Sequence, residues 1–394
     1  MLNSLDLFSG IGGITLALRG IAKPLVYCDI EKACHDVLQA RMRDGDLPAA
    51  RICPDVRVLD KTWTRNKKVH IIVGGFPCVG FSSLGLKEGF EDEQSGLFHE
   101  VVRLVDEFQP PLVFMENVHS IVHMGLQDIC KTFWERDYEL RWATLAASAV
   151  GAPHERKRWF CLAIKRGFSL AKLQRSIDAE GLDAQAVASW APETEPPRMT
   201  LALENMHAHK TRCGMLGNAV VPDCVRSAFV HLVKLVEWGR VVKAKPVAHE
   251  KEEDASEGEG AAAEETEPAL PPAMHMPTHG YTKNKKIYKM VSVARPAAHH
   301  IKVLCFDPDA YKTTKPPSIQ LKSGRLTEPK MSRFWSTPRH GMLGACNYLT
   351  ARSVRDLPTQ VRFEKNTPDE LREGSINPAF VEWIMGYPPN WTMA

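Results

Sequence analysis

No Cys-x-x-Cys pair occurs among the ten cysteines, and no cysteine–histidine set has the spacing of a zinc site. No metal is therefore expected. Most of these cysteines have apolar neighbours, as reduced core thiols do, which points to a reducing compartment. No apolar run is long enough for a membrane span. The opening MLNSLDLFSG lacks a basic region followed by an apolar stretch, so no signal peptide is expected. There is no Gly-Lys-Ser/Thr loop of the kind that cradles triphosphates, and no internal repeat. Large net charge is missing too: the total is +3, which by itself demands no polyanionic partner. The segment 250–268 (EKEEDASEGEGAAAEETEP) is strongly acidic, however, so the rest of the chain is more basic than the total suggests.

What is present is an apolar fraction of 44% in 394 residues, ample for one large domain and a smaller one. Short apolar runs at Leu5–Phe8, Leu25–Cys28, His70–Val73, Leu112–Met115 and Trp159–Ile164 read as strands. Periodic segments Ile14–Arg19, Lys32–Met42 and Leu97–Phe108 lie between them and read as helices. This alternation implies βαβ units and a mostly parallel sheet over residues 1–168. Residues 169–243 connect onward, with a turn at Gly214 and then a helix through VRSAFVHLVKLVEW. The Ala-, Glu- and Pro-rich stretch 244–282 reads as a flexible linker. Residues 283–394 carry a lysine-rich entry, several aromatics and many prolines, and read as a second unit of short strands and loops.

The first strand runs into Asp6-Leu-Phe8-Ser-Gly10-Ile-Gly12-Gly13 and then a helix. Glycines at such a turn let backbone amides approach a ligand closely, although many α/β folds use them for packing alone. Asp29-Ile30 closes the second strand, where an acid can hold a ribose hydroxyl or simply cap a helix. Asp55-Val56 follows a possible third strand and offers another contact. Together these favour a nucleoside-type cofactor.

Gly74-Gly-Phe-Pro77-Cys78-Val79-Gly-Phe-Ser-Ser83 follows the strand HIIV. It places a cysteine on a Gly/Pro-bounded loop at the carboxyl edge of a sheet, where ligands bind in open α/β folds. A thiol becomes a good nucleophile as its thiolate, which nearby positive charge or amides stabilise. An isolated cysteine is more often a small buried hydrophobe; the loop context reverses that preference here. Glu116-Asn117-Val118 ends another apolar run, as a helix cap or as a site acid. In His154-Glu-Arg156-Lys-Arg158 the two arginines are two apart and share one strand face, able to meet an anion or a base edge. Standing alone, a solvated charge cluster would be the commoner reading.

In this order, these motifs closely resemble the catalytic domain of cytosine-C5 DNA methyltransferases. DLFSGIGG is similar to the family's first motif, GFPCVGFS to its Pro-Cys motif and ENV to its glutamate motif. HERKR resembles Gln-x-Arg-x-Arg, with His154 in place of Gln. Leu216-Gly-Asn218-Ala-Val220-Val-Pro222 is similar to the last motif. The resemblance implies an α/β fold, a Rossmann-like doubly wound mixed sheet with a smaller, mostly irregular or β target recognition domain. It implies S-adenosyl-L-methionine as cofactor, held by Phe8, Gly10, Gly12, Asp29, Ile30, Asp55, Val56, Pro77, Asn218 and Val220. It implies double-stranded DNA as partner and a base flipped into the site. Cys78 would add to C6 of cytosine, Glu116 would bond the ring N3 and amine, Arg158 would hold the O2 side, and Arg156 would support the loop. A monomer acting inside the cell is expected, in the nucleus of a eukaryote or the cytoplasm or nucleoid of a bacterial or viral system.

Two departures stand out. Val79 takes a position where the family often has Gln. The motif order also differs, because Gly217-Asn218 precedes Val381-Glu-Trp-Ile-Met-Gly-Tyr-Pro388, which resembles a motif that normally comes earlier. That order is consistent with a permutation across the linker. In 283–394, Lys283, Lys285, Lys286 and Lys289 with Tyr281 and Tyr288 could track phosphates, or form a solvated basic edge. Arg333, Trp335, Arg339, Arg352 and Arg355 could reach bases or backbone. Alternatives are a transfer-RNA substrate with the same catalytic residues and a regulatory protein that has lost activity. An adenine amino-methyltransferase would need an Asp/Asn-Pro-Pro-aromatic loop, which is absent; Tyr387-Pro-Pro-Asn390 has the wrong order.

Overall fold

Leu2–Leu7 (β1) and Ala22–Cys28 (β2) flank Gly13–Ala17 (α1), and Lys32–Arg43 (α2) leads on to Arg51–Cys53 (β3). Next come Ile71–Gly74 (β4), Phe98–Phe108 (α3), Leu112–Val118 (β5), Ile121–Met124 (α4), Leu126–Trp134 (α5), Tyr138–Ala146 (β6) and Lys157–Lys165 (β7). The remainder is Ala171–Ala179 (α6), Met199–Thr200 (β8), Met206–Asn218 (α7), Pro222–Lys234 (α8), Gly280–Lys283 (β9), Lys286–Lys289 (β10), Ser375–Ile376 (β11) and Pro378–Met385 (α9). This computed structural model describes residues 1–77, 97–181, 190–200, 205–234, 276–283, 286–289, 338, 357 and 375–394.

Among the described residues, nine strands form one sheet in the order β10-β9-β6-β7-β5-β4-β1-β2-β3. From β3 to β5 all neighbours are parallel; β7 runs antiparallel to both β5 and β6, and β9 and β10 continue antiparallel. The sheet is therefore mixed. The expected parallel sheet is the five-strand block that runs from β5 to the β3 edge.

Both faces are covered, and the strand sequences show why. On β5, Leu112 and Phe114 enter one core while Val113 and Met115 enter the other; β7 splits Phe160, Leu162 and Ile164 from Trp159, Cys161 and Ala163 in the same way. Continuous apolar runs are what strands buried on two faces require. The helix α2 buries Cys34, Val37, Leu38 and Arg41, the i, i+3, i+4, i+7 stripe of an amphipathic helix. In β6, Tyr138, Leu140 and Trp142 are buried at alternate positions, a period-two signal that the apolar-run criterion passes over.

Two expectations need correction. Gly214 lies inside α7 rather than at a turn; the break falls at Ala219, before Pro222 opens α8. Proline is favoured in a first helical turn because its missing N–H has no partner there to lose. The second concerns 283–394. Strand β9 pairs with β6, with Thr282 Oγ accepting from Leu140 N (2.9 Å), so the lysine-rich hairpin extends the main sheet. Residues 375–394 likewise pack into the core of the N-terminal half, with Phe380, Val381, Ile384, Met385 and Trp391 buried there. Arg333, Trp335, Arg339, Arg352 and Arg355 lie outside the described residues.

Candidate active site

Strand order brings the singled-out residues to one edge. The carboxyl ends of β4, β1, β2 and β3 lie side by side, and the first residues of antiparallel β7 join them from the other direction. The glycine loop after β1, Asp29 after β2 and Asp55 after β3 make one half. Pro77 after β4, Glu116 on β5 and Arg158 on β7 make the other. The two halves meet between β4 and β1.

On the second half, Glu116 pairs in register with Phe160 and Val118 with Arg158, so Glu116 and Arg158 share a face. Arg158 Nε stands 3.1 Å from Glu116 Oε1. Burial raises the Glu116 carboxyl above its ordinary range, against the pull of Arg158 and Arg156. An added Cβ at Gly75 would lie 2.7 Å from Glu116 Oε2, so a larger residue there would displace the Glu116 carboxylate. Asn117 Nδ2 donates to Phe76 O (3.2 Å), tying the end of β5 to the loop that leads to Cys78. Cys78 and Val79 lie outside the described residues. Seven other cysteines, 28, 34, 53, 130, 161, 213 and 224, are buried free thiols.

Arg156 is buried and meets carbonyls rather than an anion. Its Nη2 donates to Gly217 O (3.1 Å) and Ala219 O (2.6 Å), and its Nη1 to Pro338 O (3.0 Å). Burial lowers it to about 9, so it remains charged at neutral pH. It thus fastens the turn that carries exposed Asn218 and half-buried Val220. His154, two residues earlier, is fully buried, and burial brings it down to about 3.

On the first half, Phe8, Gly10 and Gly12 all have positive φ (53°, 51° and 82°), which curls the loop tightly. Asp29 shapes that curl, accepting from Gly10 N (2.7 Å) and Glu31 N (2.9 Å). A Cβ at Gly10 would meet nothing within 4 Å, so the space beside the loop is open. Ile30 is 67% exposed next to it, an apolar side chain left uncovered at the same edge. Beneath the loop Asp6 is fully buried. One of its oxygens accepts from Thr15 Oγ (2.5 Å) and the other has no partner. Burial pushes its carboxyl up to about 7. Asp55 is held by Arg57, whose Nη2 is 2.7 Å away, so its carboxylate is already paired. The half-open loop, the exposed apolar side chain and the unpartnered buried acid suit a cofactor with a nucleoside and a cationic group.

Sequence reasoning missed three contributors: Asp6, Tyr387 as a loop contact, and Trp391. Tyr387 Oη donates to Val220 O (3.0 Å), and Trp391 Nε1 donates to Ile11 O (2.8 Å). Tyr387 stood within a quoted motif. Trp391 carried no local signal, since its partner is 380 positions away.

This edge, with its glycine loop, its buried Glu–Arg pair and Pro77 after β4, fits a cofactor-dependent group-transfer enzyme on an α/β sheet. Residues 2–188 match the family described as C-5 cytosine-specific DNA methylase. The chain is 30% identical over 398 residues to "Type II methyltransferase M.CviJI" of Paramecium bursaria Chlorella virus IL3A, spanning 98% of this chain and 96% of that one. It is 32% identical over 178 residues to "Type II methyltransferase M.HhaI" of Haemophilus parahaemolyticus, covering 44% of this chain and 52% of the relative. A solved structure, the S. pombe Dnmt2 methyltransferase, overlaps 53% of this chain and 67% of that one at 19% identity, with a TM-score of 0.37. The chain belongs to the cytosine-C5 DNA methyltransferase family and is a DNA (cytosine-5-)-methyltransferase. No helix among the described residues is long and apolar enough to cross a membrane.

Proposed function

We propose that the chain methylates C5 of a cytosine flipped out of duplex DNA, through a covalent adduct between Cys78 and C6. The single observation that carries this reading is the buried Glu116–Arg158 pair at the carboxyl edge of β5, fastened through Asn117 to the loop that leads to Cys78. Cytosine C5 is a weak nucleophile. Addition of the Cys78 thiolate at C6 makes C5 enamine-like, with the ring charge met by Glu116 at N3 and the exocyclic amine. Arg158 orients Glu116 and faces the O2 side, while Arg156 holds the turn of Asn218 and Val220 in place. S-adenosyl-L-methionine supplies an electrophilic methyl group when bound, and Phe8, Gly10, Gly12, Asp29, Ile30, Asp55, Val56, Pro77, Asn218 and Val220 would hold it. After transfer, loss of the C5 proton and elimination of Cys78 restore aromaticity and the free enzyme. The parts of 283–394 outside the sheet and the C-terminal helix would supply target recognition.

The test is transfer of labelled methyl from S-adenosylmethionine to duplex DNA and to transfer RNA, with bisulfite sequencing of the products. Methylated cytosine in one short DNA context is expected. Label in RNA alone would move the substrate to RNA. Cys78→Ser should abolish turnover while S-adenosylmethionine binding persists; a fully active variant overturns the covalent step.

A further inference from the structure

We infer that Trp391, seconded by Tyr387, is a positioning residue for the glycine loop, so that the chain's last helix and tail set the affinity for the cofactor. The inference rests on the reading of the glycine loop as the cofactor site.

Within itself the loop after β1 is closed by Gly12 N donating to Ser9 O (2.8 Å) and by the Ser9 hydroxyl, which leaves its other polar groups to be met from outside. Three of its residues sit at positive φ, a conformation that glycine tolerates but does not enforce. Its carbonyls and amides therefore need partners elsewhere. Asp29 and Ser9 supply some of them: Asp29 fixes Gly10 N, and Ser9 Oγ donates to Asp6 O (2.6 Å). The middle of the loop, at Ile11, is held from the far end of the chain by the Trp391 indole N–H (2.8 Å). Trp391 is fully buried, so this bond forms without competition from water.

Trp391 is itself locked. The Arg41 guanidinium, from α2, lies 5.8 Å from its ring centroid and donates to the backbone carbonyls of Asn390 (3.2 Å) and Met393 (3.0 Å) on either side. The Tyr387 ring packs against it at 5.6 Å and passes its hydroxyl to Val220 O (3.0 Å). Two aromatic side chains of the tail therefore reach both walls of the cofactor edge, the glycine loop and the turn after α7. Glu382 anchors the assembly: completely buried, it accepts from Asn390 N (2.9 Å), Thr392 N (2.8 Å) and Arg212 Nη2 (3.1 Å).

The test compares Trp391→Phe and Tyr387→Phe with the full-length enzyme. Tyr387→Phe keeps the ring and removes only the hydroxyl donor, while Trp391→Phe removes the indole N–H and leaves a smaller aromatic ring in its place. With Trp391→Phe, we expect the KM and Kd for S-adenosylmethionine to rise roughly three- to tenfold, the range for losing one buried hydrogen bond. kcat and the KM for DNA should stay within about twofold. Tyr387→Phe should shift the same two cofactor constants in the same direction. A residue that only filled the core would lower the melting temperature and leave the KM for cofactor where it was, and that result overturns the inference. Asp29→Ala serves as the control on the site: if it weakens cofactor binding and Trp391→Phe does not, the inference alone fails. If neither does, the cofactor reading of the loop fails with it. Should Trp391→Phe prove too unstable to assay, Arg41→Lys, which disturbs the seat of the indole from outside, gives the same decision on cofactor KM.

Discussion

His154 shows how a single position can alter acid stability without touching chemistry. It stands where the family pattern has Gln, and burial holds its imidazole neutral down to about pH 3. In the unfolded chain the same ring binds a proton near pH 6.5. Between those values the unfolded state carries more protons than the folded one, so stability falls as pH drops through 6.5 toward 3. His154→Gln removes that dependence. We expect the loss of unfolding free energy between pH 7 and pH 5 to shrink by about 2 kcal/mol, read from urea midpoints at the two values. Asp6 acts in the opposite sense. Its carboxyl is raised from 3.8 to about 7, so it costs stability as pH rises through that window, and Asp6→Asn should flatten the slope there.

At the scale of elements, the glycine of greatest consequence answers to a helix far away in sequence. Gly13 opens α1, and a Cβ there would fall 2.2 Å from Tyr387 Oη and 2.7 Å from Val220 Cγ2. Neither neighbour can easily retreat, since the hydroxyl is bonded to Val220 O. Gly13→Ala should cost about 1–3 kcal/mol by overpacking. Combining it with Tyr387→Phe, which shortens the obstructing side chain, should recover part of that loss in thermal melts; strictly additive losses would contradict the contact. The same packing explains why Gly214 misled the sequence reading. A glycine that often marks a turn is here buried inside α7, and tertiary context overrides its local preference.

For the whole molecule, the two ends of the chain form one core. Residues 375–394 bring Phe380, Val381, Ile384, Met385 and Trp391 into the cluster that contains Ile11, Leu38 and Leu216. Removing 375–394 should expose that cluster and leave a chain that aggregates or melts far below the intact protein, checked by light scattering and differential scanning calorimetry. A truncated chain with an unchanged melting temperature would show that the tail is an appendage. The motifs Gly217-Asn218 and Gly386-Tyr387, reversed in order along the chain, are neighbours in space through α7 and α9. Order in sequence is therefore free to vary while the contact is kept.

The strands β1, β2, β4, β5 and β7 were legible because burial on two faces demands apolar runs, and a run needs no partner to be seen. The residues of the site were legible wherever chemistry restricts the choice: a cysteine after Pro on a glycine loop, an acid at the end of a strand, two arginines on one strand face. Their convergence on one edge follows from the parallel run of β1 to β5, whose carboxyl ends share one side, while Arg158 joins from the amino end of antiparallel β7. Several assignments needed the tertiary structure. That Arg156 grips the carbonyls of Gly217 and Ala219, that β9 extends the sheet and that Trp391 holds Ile11 are facts about which distant groups meet. Local sequence encodes conformational preference and polarity; the pairing of buried donors with acceptors is settled only when the whole core packs and each must find a partner away from water.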